Sequence, residues 1–250
     1  MVVCFKRYRF IRSRIKMKIL VLNPNTSEAV TQRIAETAKK AAYPDTEIVV
    51  AGIPHGPESL ESFYDEAIAT PYILQSVKNA NEAGYDAVIN AAFCDPGIEA
   101  LKEISDIPVF GLEECSFSAA LLFGNKFAIL TEQKHKEAVK SREVRKHGLE
   151  SRFAGVKALN MGVVEIANNP LKVKEAGIKA ARELIENGAE VIILGCSSMA
   201  GYSEDLEKEL KVPIIDPVAT TVKMAEAFTA LGLRHAKIGL YSKPKIQKMN

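Results

Sequence analysis

The chain has 250 residues, 47% of them apolar and 26% charged, with a formal net charge of +2. That length carries one large α/β domain or two smaller ones, each with its own core, and the near-balanced charge gives no general case for nucleic acid. No apolar run reaches the roughly 18–20 residues of a membrane span, and no Cys-x-x-Cys pair or histidine spacing marks a metal site.

From the amino end, Lys6, Arg7, Arg9, Arg12, Arg14 and Lys16 crowd the stretch ahead of Met17. Two readings compete for residues 1–16: a basic arm or targeting segment, and an extension before a natural start at Met17. The stretch lacks the continuous apolar segment of a secretory signal. The four cysteines, Cys4, Cys94, Cys115 and Cys196, read as free thiols in a reducing cytoplasm.

Short apolar runs then alternate with amphipathic patterns. Residues 18–22 predict a buried strand, and Asn23-Pro24-Asn25-Thr26-Ser27 a turn opening a helix to about residue 42. A strand over 47–51 precedes a loop with Pro54, Gly56 and Pro57. Helical spacing follows to Gly84, interrupted at Pro71. Residues 87–92 and 109–111 predict strands, each followed by a helix. Further on, strands are expected at 127–131, 153–159, 191–194, 213–215 and 238–241. Helices are expected at 133–146, 170–187, 203–210 and 217–231. Apolar runs of this length between helices mean parallel sheets covered on both faces.

An internal repeat organises the pattern. Asp86 to Ala92, Ile107-Pro108-Val109-Phe110 and the Leu122 to Leu130 segment match Ala189 to Cys196, Val212-Pro213-Ile214-Ile215 and the Leu231 to Leu240 segment. The expected fold is therefore α/β: two pseudo-symmetric, Rossmann-like three-layer lobes with parallel sheets and a cleft between them. One lobe takes residues 17–113 plus about 217–245, the other 114–216. Ligands in such sheets sit at the carboxyl ends of strands, so the loops after Ala92 and Cys196 should meet. A duplication of fold without a shared site is the alternative.

Cys196 ends an apolar strand within Gly195-Cys196-Ser197-Ser198-Met199, where small neighbours leave room for a substrate and turn N–H groups can hold an anion. A thiol there is a candidate acid or base; a buried structural cysteine is the bland reading. Cys94, in Phe93-Cys94-Asp95-Pro96-Gly97, stands just past the matching strand, and Cys115 reads as core. Asn23, Asn25 and Thr26 offer amide and hydroxyl groups at a helix start suited to a carboxylate, imide or phosphate. Phe93, Thr131, Gly195 and Ser197 complete the expected substrate-binding set; for Cys94, as for Cys196, a buried inert thiol is the competing reading.

Together, Leu22-Asn23-Pro24-Asn25-Thr26, Phe93-Cys94-Asp95-Pro96-Gly97, Leu194-Gly195-Cys196-Ser197-Ser198-Met199 and Ile238-Gly239-Leu240-Tyr241 resemble the aspartate/glutamate/hydantoin racemase family, nearest its hydantoin and allantoin branch. The resemblance implies a racemase that needs no cofactor. Two cysteines on opposite faces of the substrate remove and return the α-proton. Cys196 matches the second. The first departs from the pattern: its place is taken by Ala92, and the thiol, Cys94, comes two residues later. A one-cysteine decarboxylase of the arylmalonate type and a non-catalytic small-molecule binder remain the competing functions. The expected partner is a small-molecule substrate, with neither nucleic acid nor membrane; assembly into a homo-oligomer stays open.

Overall fold

A computed structural model describes residues 16–245. The basic stretch before Met17, apart from Lys16, and Cys4 lie outside the described residues.

Among them, eight strands build two four-stranded parallel sheets. The first contains β1 (Met17–Asn23), β2 (Thr46–Gly52), β3 (Ala87–Asn90) and β4 (Val109–Gly111), in the order β2-β1-β3-β4. The second contains β5 (Phe127–Thr131), β6 (Phe153–Ala158), β7 (Val191–Leu194) and β8 (Ile214–Ile215), in the order β6-β5-β7-β8. The two orders are the same path, so the duplication is a whole sheet: β1 to β4 repeats as β5 to β8. The equivalence of β3 with β7 and of β4 with β8 read from the repeat is present in both sheets.

Side chains alternate across β1. Ile19 and Val21 face one apolar cluster that continues into the second sheet through Ile129, Val191 and Ile193. Leu20 and Leu22 face a separate cluster, covered by α2 (Phe63–Glu82) and α3 (Ile98–Ile104). This period of two on a strand buried on both faces is why the sequence shows an unbroken apolar run there. Around the sheets lie α1 (Glu28–Ala41), α4 (Leu112–Phe123), α5 (Lys136–Lys146), α6 (Val163–Asn168), α7 (Pro170–Glu186), α8 (Ser203–Leu210) and α9 (Pro217–Ala230). Helix α9 packs on α1 and α4. Its start is capped by Asp216, whose Oδ1 accepts from Val218 N and Ala219 N at 2.9 and 3.0 Å.

Two expectations fail. Pro71 does not interrupt its helix; α2 runs through it. The missing N–H is outweighed from both sides. Ser62 and Asp65 form a reciprocal capping box at the start, and Ala69, Ile73, Val77 and Ala80 bury one stripe along the length. Residues 238–241 form turns rather than a strand, with Ile238 87% and Leu240 74% exposed. The edge of β4 is instead met by a side chain: Val109 N–H donates to His235 Nε2 at 2.7 Å. Lys237 Nζ holds the same segment by donating to the carbonyl oxygens of Lys102 and Glu103 at the end of α3.

Candidate active site

The carboxyl ends of β1, β3, β5 and β7 open onto one cleft. Asn25 comes from the loop after β1, Ala92, Phe93 and Cys94 from the loop after β3, and Gly195, Cys196 and Ser197 from the loop after β7. Glu132, Lys136 and Lys140 follow β5, and Leu60 and Val163 add apolar wall. The two strand-end cysteines of the two sheets therefore line the same space.

Cys196 leaves β7 in extended conformation (φ −149°, ψ 136°) and enters a single tight turn over Ser197–Met199. Its Sγ lies 3.0 Å from Ser198 Oγ. Burial first, then the Glu132 carboxylate, pushes this thiol up to about 12; the Ser198 contacts oppose them. The resting group is a thiol, and the thiolate formed from it is a strong base. Gly195 is dictated by packing. Its N–H donates to Leu130 O at 2.7 Å, and a Cβ would fall 2.5 Å from Ile129 Cγ2 and 2.6 Å from that same carbonyl oxygen.

The opposing loop is pinned at several points. Asp95 takes a left-handed conformation (φ 44°), and its carboxylate accepts from Glu113 N and Glu114 N at 3.2 and 3.1 Å, at the start of α4. Asn90 Nδ2 donates to Pro96 O at 3.0 Å. Gly111 makes room, because a Cβ there would sit 2.1 Å from Asp95 Oδ2. Cys94 is held up well above the usual thiol range by burial first and by Glu66 second, with Lys140 and Lys136 acting in the opposite sense. Ala92, which the internal repeat sets opposite Cys196, also lines the cleft and contributes no acid or base.

The other expected residues divide. Asn25 lines the cleft, and its Oδ1 is occupied by Asn23 Nδ2 (2.8 Å) and Ser27 N (2.9 Å), which fixes the amide orientation. Asn23 is fully buried behind it, also donating to Thr31 Oγ1 at 2.9 Å. It acts on the cleft through Asn25. Thr26 is tied to the neighbouring loop, its N–H donating to Pro57 O at 3.0 Å, and does not line the cleft. Thr131 is fully buried; its hydroxyl donates to Glu132 Oε2 at 2.7 Å and holds that carboxylate beside the cleft. Phe93 lines it, with the Lys140 ammonium 4.5 Å above its ring centroid.

Three charged residues of the cleft were not anticipated: Glu132, Lys136 and Lys140. Lys136, Lys140 and Val144 are the buried residues of α5, spaced four apart. Val144 is the one apolar residue on that face, the only signal in the sequence that it is buried. Lys140 donates to Phe93 O at 3.3 Å and lies 3.7 Å from Glu113 Oε2. Burial works to lower its pKa, but Glu113 and Glu132 outweigh it and hold the ammonium above the usual lysine range. Among the described residues no group of three or more His, Cys, Asp and Glu side chains is placed to hold a metal ion, and no helix is long and apolar enough to cross a membrane.

The molecule is thus a two-lobed α/β protein with a thiol-lined cleft at its strand ends. The family profile of the Asp/Glu/hydantoin racemases matches residues 19–225. A hydantoin racemase from Pseudomonas sp. (strain NS671) is 38% identical over 234 residues, covering 92% of each chain. The structure of an allantoin racemase from Klebsiella pneumoniae superposes with a TM-score of 0.88 at 33% identity, covering 94% of this chain and 96% of that one. A crystal structure of arylmalonate decarboxylase, at 17% identity and a TM-score of 0.61 over 86% of this chain, shares the fold. The chain belongs to the Asp/Glu/hydantoin racemase family, as an isomerase of the hydantoin racemase type.

Proposed function

We propose that the protein racemises a 5-substituted hydantoin or a close amino-acid derivative, with Cys196 and Cys94 as its two acid/base groups. The observation that carries this reading is the position of the two thiols. They follow equivalent strands, β7 and β3, of two equivalent sheets and line the same cleft.

One cysteine, as thiolate, takes the α-proton. The C–H bond breaks, an S–H bond forms, and the electron pair moves into the ring as an enolate. The other thiol gives its proton to the far face of the same carbon, and its sulfur becomes the thiolate. Atoms and charge balance within the pair, so the step calls on no metal or pyridoxal group. High thiol pKa values suit this chemistry, because a weak carbon acid calls for a strong base. Ala92 leaves the family's first position without a proton carrier, and Cys94 is the thiol within the same loop.

The proposed lobes are 17–113 with about 217–245, and 114–216; α9 supports the first by packing on α1 and beside β3 and β4. The test is incubation with each enantiomer of a 5-substituted hydantoin in deuterium oxide. Label entering the α-position of both enantiomers, with loss of optical rotation, supports the reading. Release of carbon dioxide from an arylmalonate with one labelled enantiomer formed would replace it with the decarboxylase reading. Neither reaction would leave a binding protein.

A further inference from the structure

We infer that Lys136 is a catalytic residue: its ammonium is the cationic donor that receives the enolate oxygen formed when the α-proton leaves. The inference rests on the racemase reading above and adds to it the group that carries the developing negative charge.

Lys136 occupies a position that folding alone does not favour. It is the first residue of α5, where the helix macrodipole disfavours a cation. Its side chain runs along the buried stripe, with the residue only 4% exposed, so the stem is packed and the ammonium is held at the cleft wall. Lys140 lies four residues on along the same stripe, and like charges at that spacing repel. Among the described residues, no hydrogen bond or ion pair engages Lys136 Nζ. Its neighbour Lys140, by contrast, is committed to Phe93 O and Glu113. Two unfavourable features, the helix dipole and the like charge of Lys140, converge on an ammonium that no hydrogen bond or ion pair holds in the wall of the cleft.

The cleft says what that ammonium meets. Lys136 lines it together with Cys94 and Cys196, and its charge is felt at both Cys94 and Glu66. A ring held with its α-carbon between the two sulfurs places the adjacent carbonyl against the same walls. In the ground state that oxygen is neutral; as the C–H bond breaks, it takes up the electron pair. A fixed cation in a water-poor cleft acts on the second state far more than on the first. When the far thiol protonates the carbon, the oxygen returns to a carbonyl and the ammonium is unchanged.

The test compares the whole protein with its Lys136→Met and Lys136→Arg variants on a 5-substituted hydantoin, following α-proton exchange and racemisation. The expected result for Lys136→Met is a fall in kcat of about 100- to 1,000-fold, the loss seen when one oxyanion donor is removed, with KM nearly unchanged. Lys136→Arg should keep a larger share of the rate, and added methylammonium should restore part of it to Lys136→Met. Turnover of Lys136→Met at the level of the unaltered protein would overturn the inference. So would a raised KM with kcat intact, which describes a substrate anchor. A variant that melts earlier, gains nothing from methylammonium and is matched by Lys136→Arg would assign a structural role. Absence of exchange in the unaltered protein would defeat the racemase reading itself, a result separate from all of these.

Discussion

Replacing Glu132 by Gln should make Cys196 more acidic. The thiol is pushed up to about 12, first by burial and then by Glu132. At neutral pH a group of that pKa lies about 5 units from ionisation, or about 7 kcal/mol. Gln keeps an oxygen for the Thr131 hydroxyl, which donates to Glu132 Oε2 at 2.7 Å, and removes only the charge. For scale, a pair of like charges about 5 Å apart at an effective dielectric of about 20 repels by about 3 kcal/mol, or about 2 pKa units, so removing the Glu132 charge should move the thiol downward by an amount of that order. The assay is alkylation by iodoacetamide at a fixed pH below the thiol's pKa, with Cys196 quantified in its own peptide by mass spectrometry. Each unit of lowered pKa multiplies the thiolate fraction about tenfold, while the weaker nucleophile returns part of that, so two units give a net acceleration of about tenfold. An unchanged or slower rate would show that the carboxylate does not act on this sulfur.

Three further outcomes follow from the same geometry. Cys94→Ala should abolish racemisation while exchange with retention persists from one enantiomer; unchanged racemisation would make Cys94 a packing residue. Gly195→Ala should lower stability by about 1–3 kcal/mol, the usual cost of overpacking, and lower turnover too, because its Cβ would press on Ile129 Cγ2 and Leu130 O; a melting temperature equal to that of the unaltered protein would refute the clash. His235 is lowered from 6.5 to about 4 by burial first and Lys102 second, and in its neutral form Nε2 accepts from Val109 N–H. Its folded pKa lies below its unfolded one, so its contribution is complete above about 6.5 and is lost as pH falls toward 4. Hydrogen exchange over residues 231–245 should rise across that window, and His235→Gln should flatten the pH dependence.

The parts of the fold legible in the sequence are those where one physical rule dominates. Strands β1, β3, β5 and β7 are buried on both faces, so their apolar runs are unambiguous. Cys196 was legible because it ends such a strand among small residues, and the offset between Ala92 and Cys94 because the repeat aligns Ala92 with Cys196. Misread segments are those where tertiary contacts overrule local preference. Pro71 is carried inside α2 by the buried stripe around it, and the 238–241 segment has strand composition but finds the β4 edge met by His235. The charged half of the site was missed for the same reason. Lysines at 136 and 140 look like the solvated face of a helix until the loops after β3 and β7 close over them.

The central claim is that the sulfur of Cys196 exchanges a proton with the α-carbon of a bound substrate. Deuterium incorporation into each enantiomer of a 5-substituted hydantoin by Cys196→Ala, with circular dichroism to establish that the variant is folded, addresses it most directly. Labelling through proton removal by this residue should disappear, and racemisation should stop altogether. Racemisation by the folded variant at the rate of the unaltered protein would contradict it.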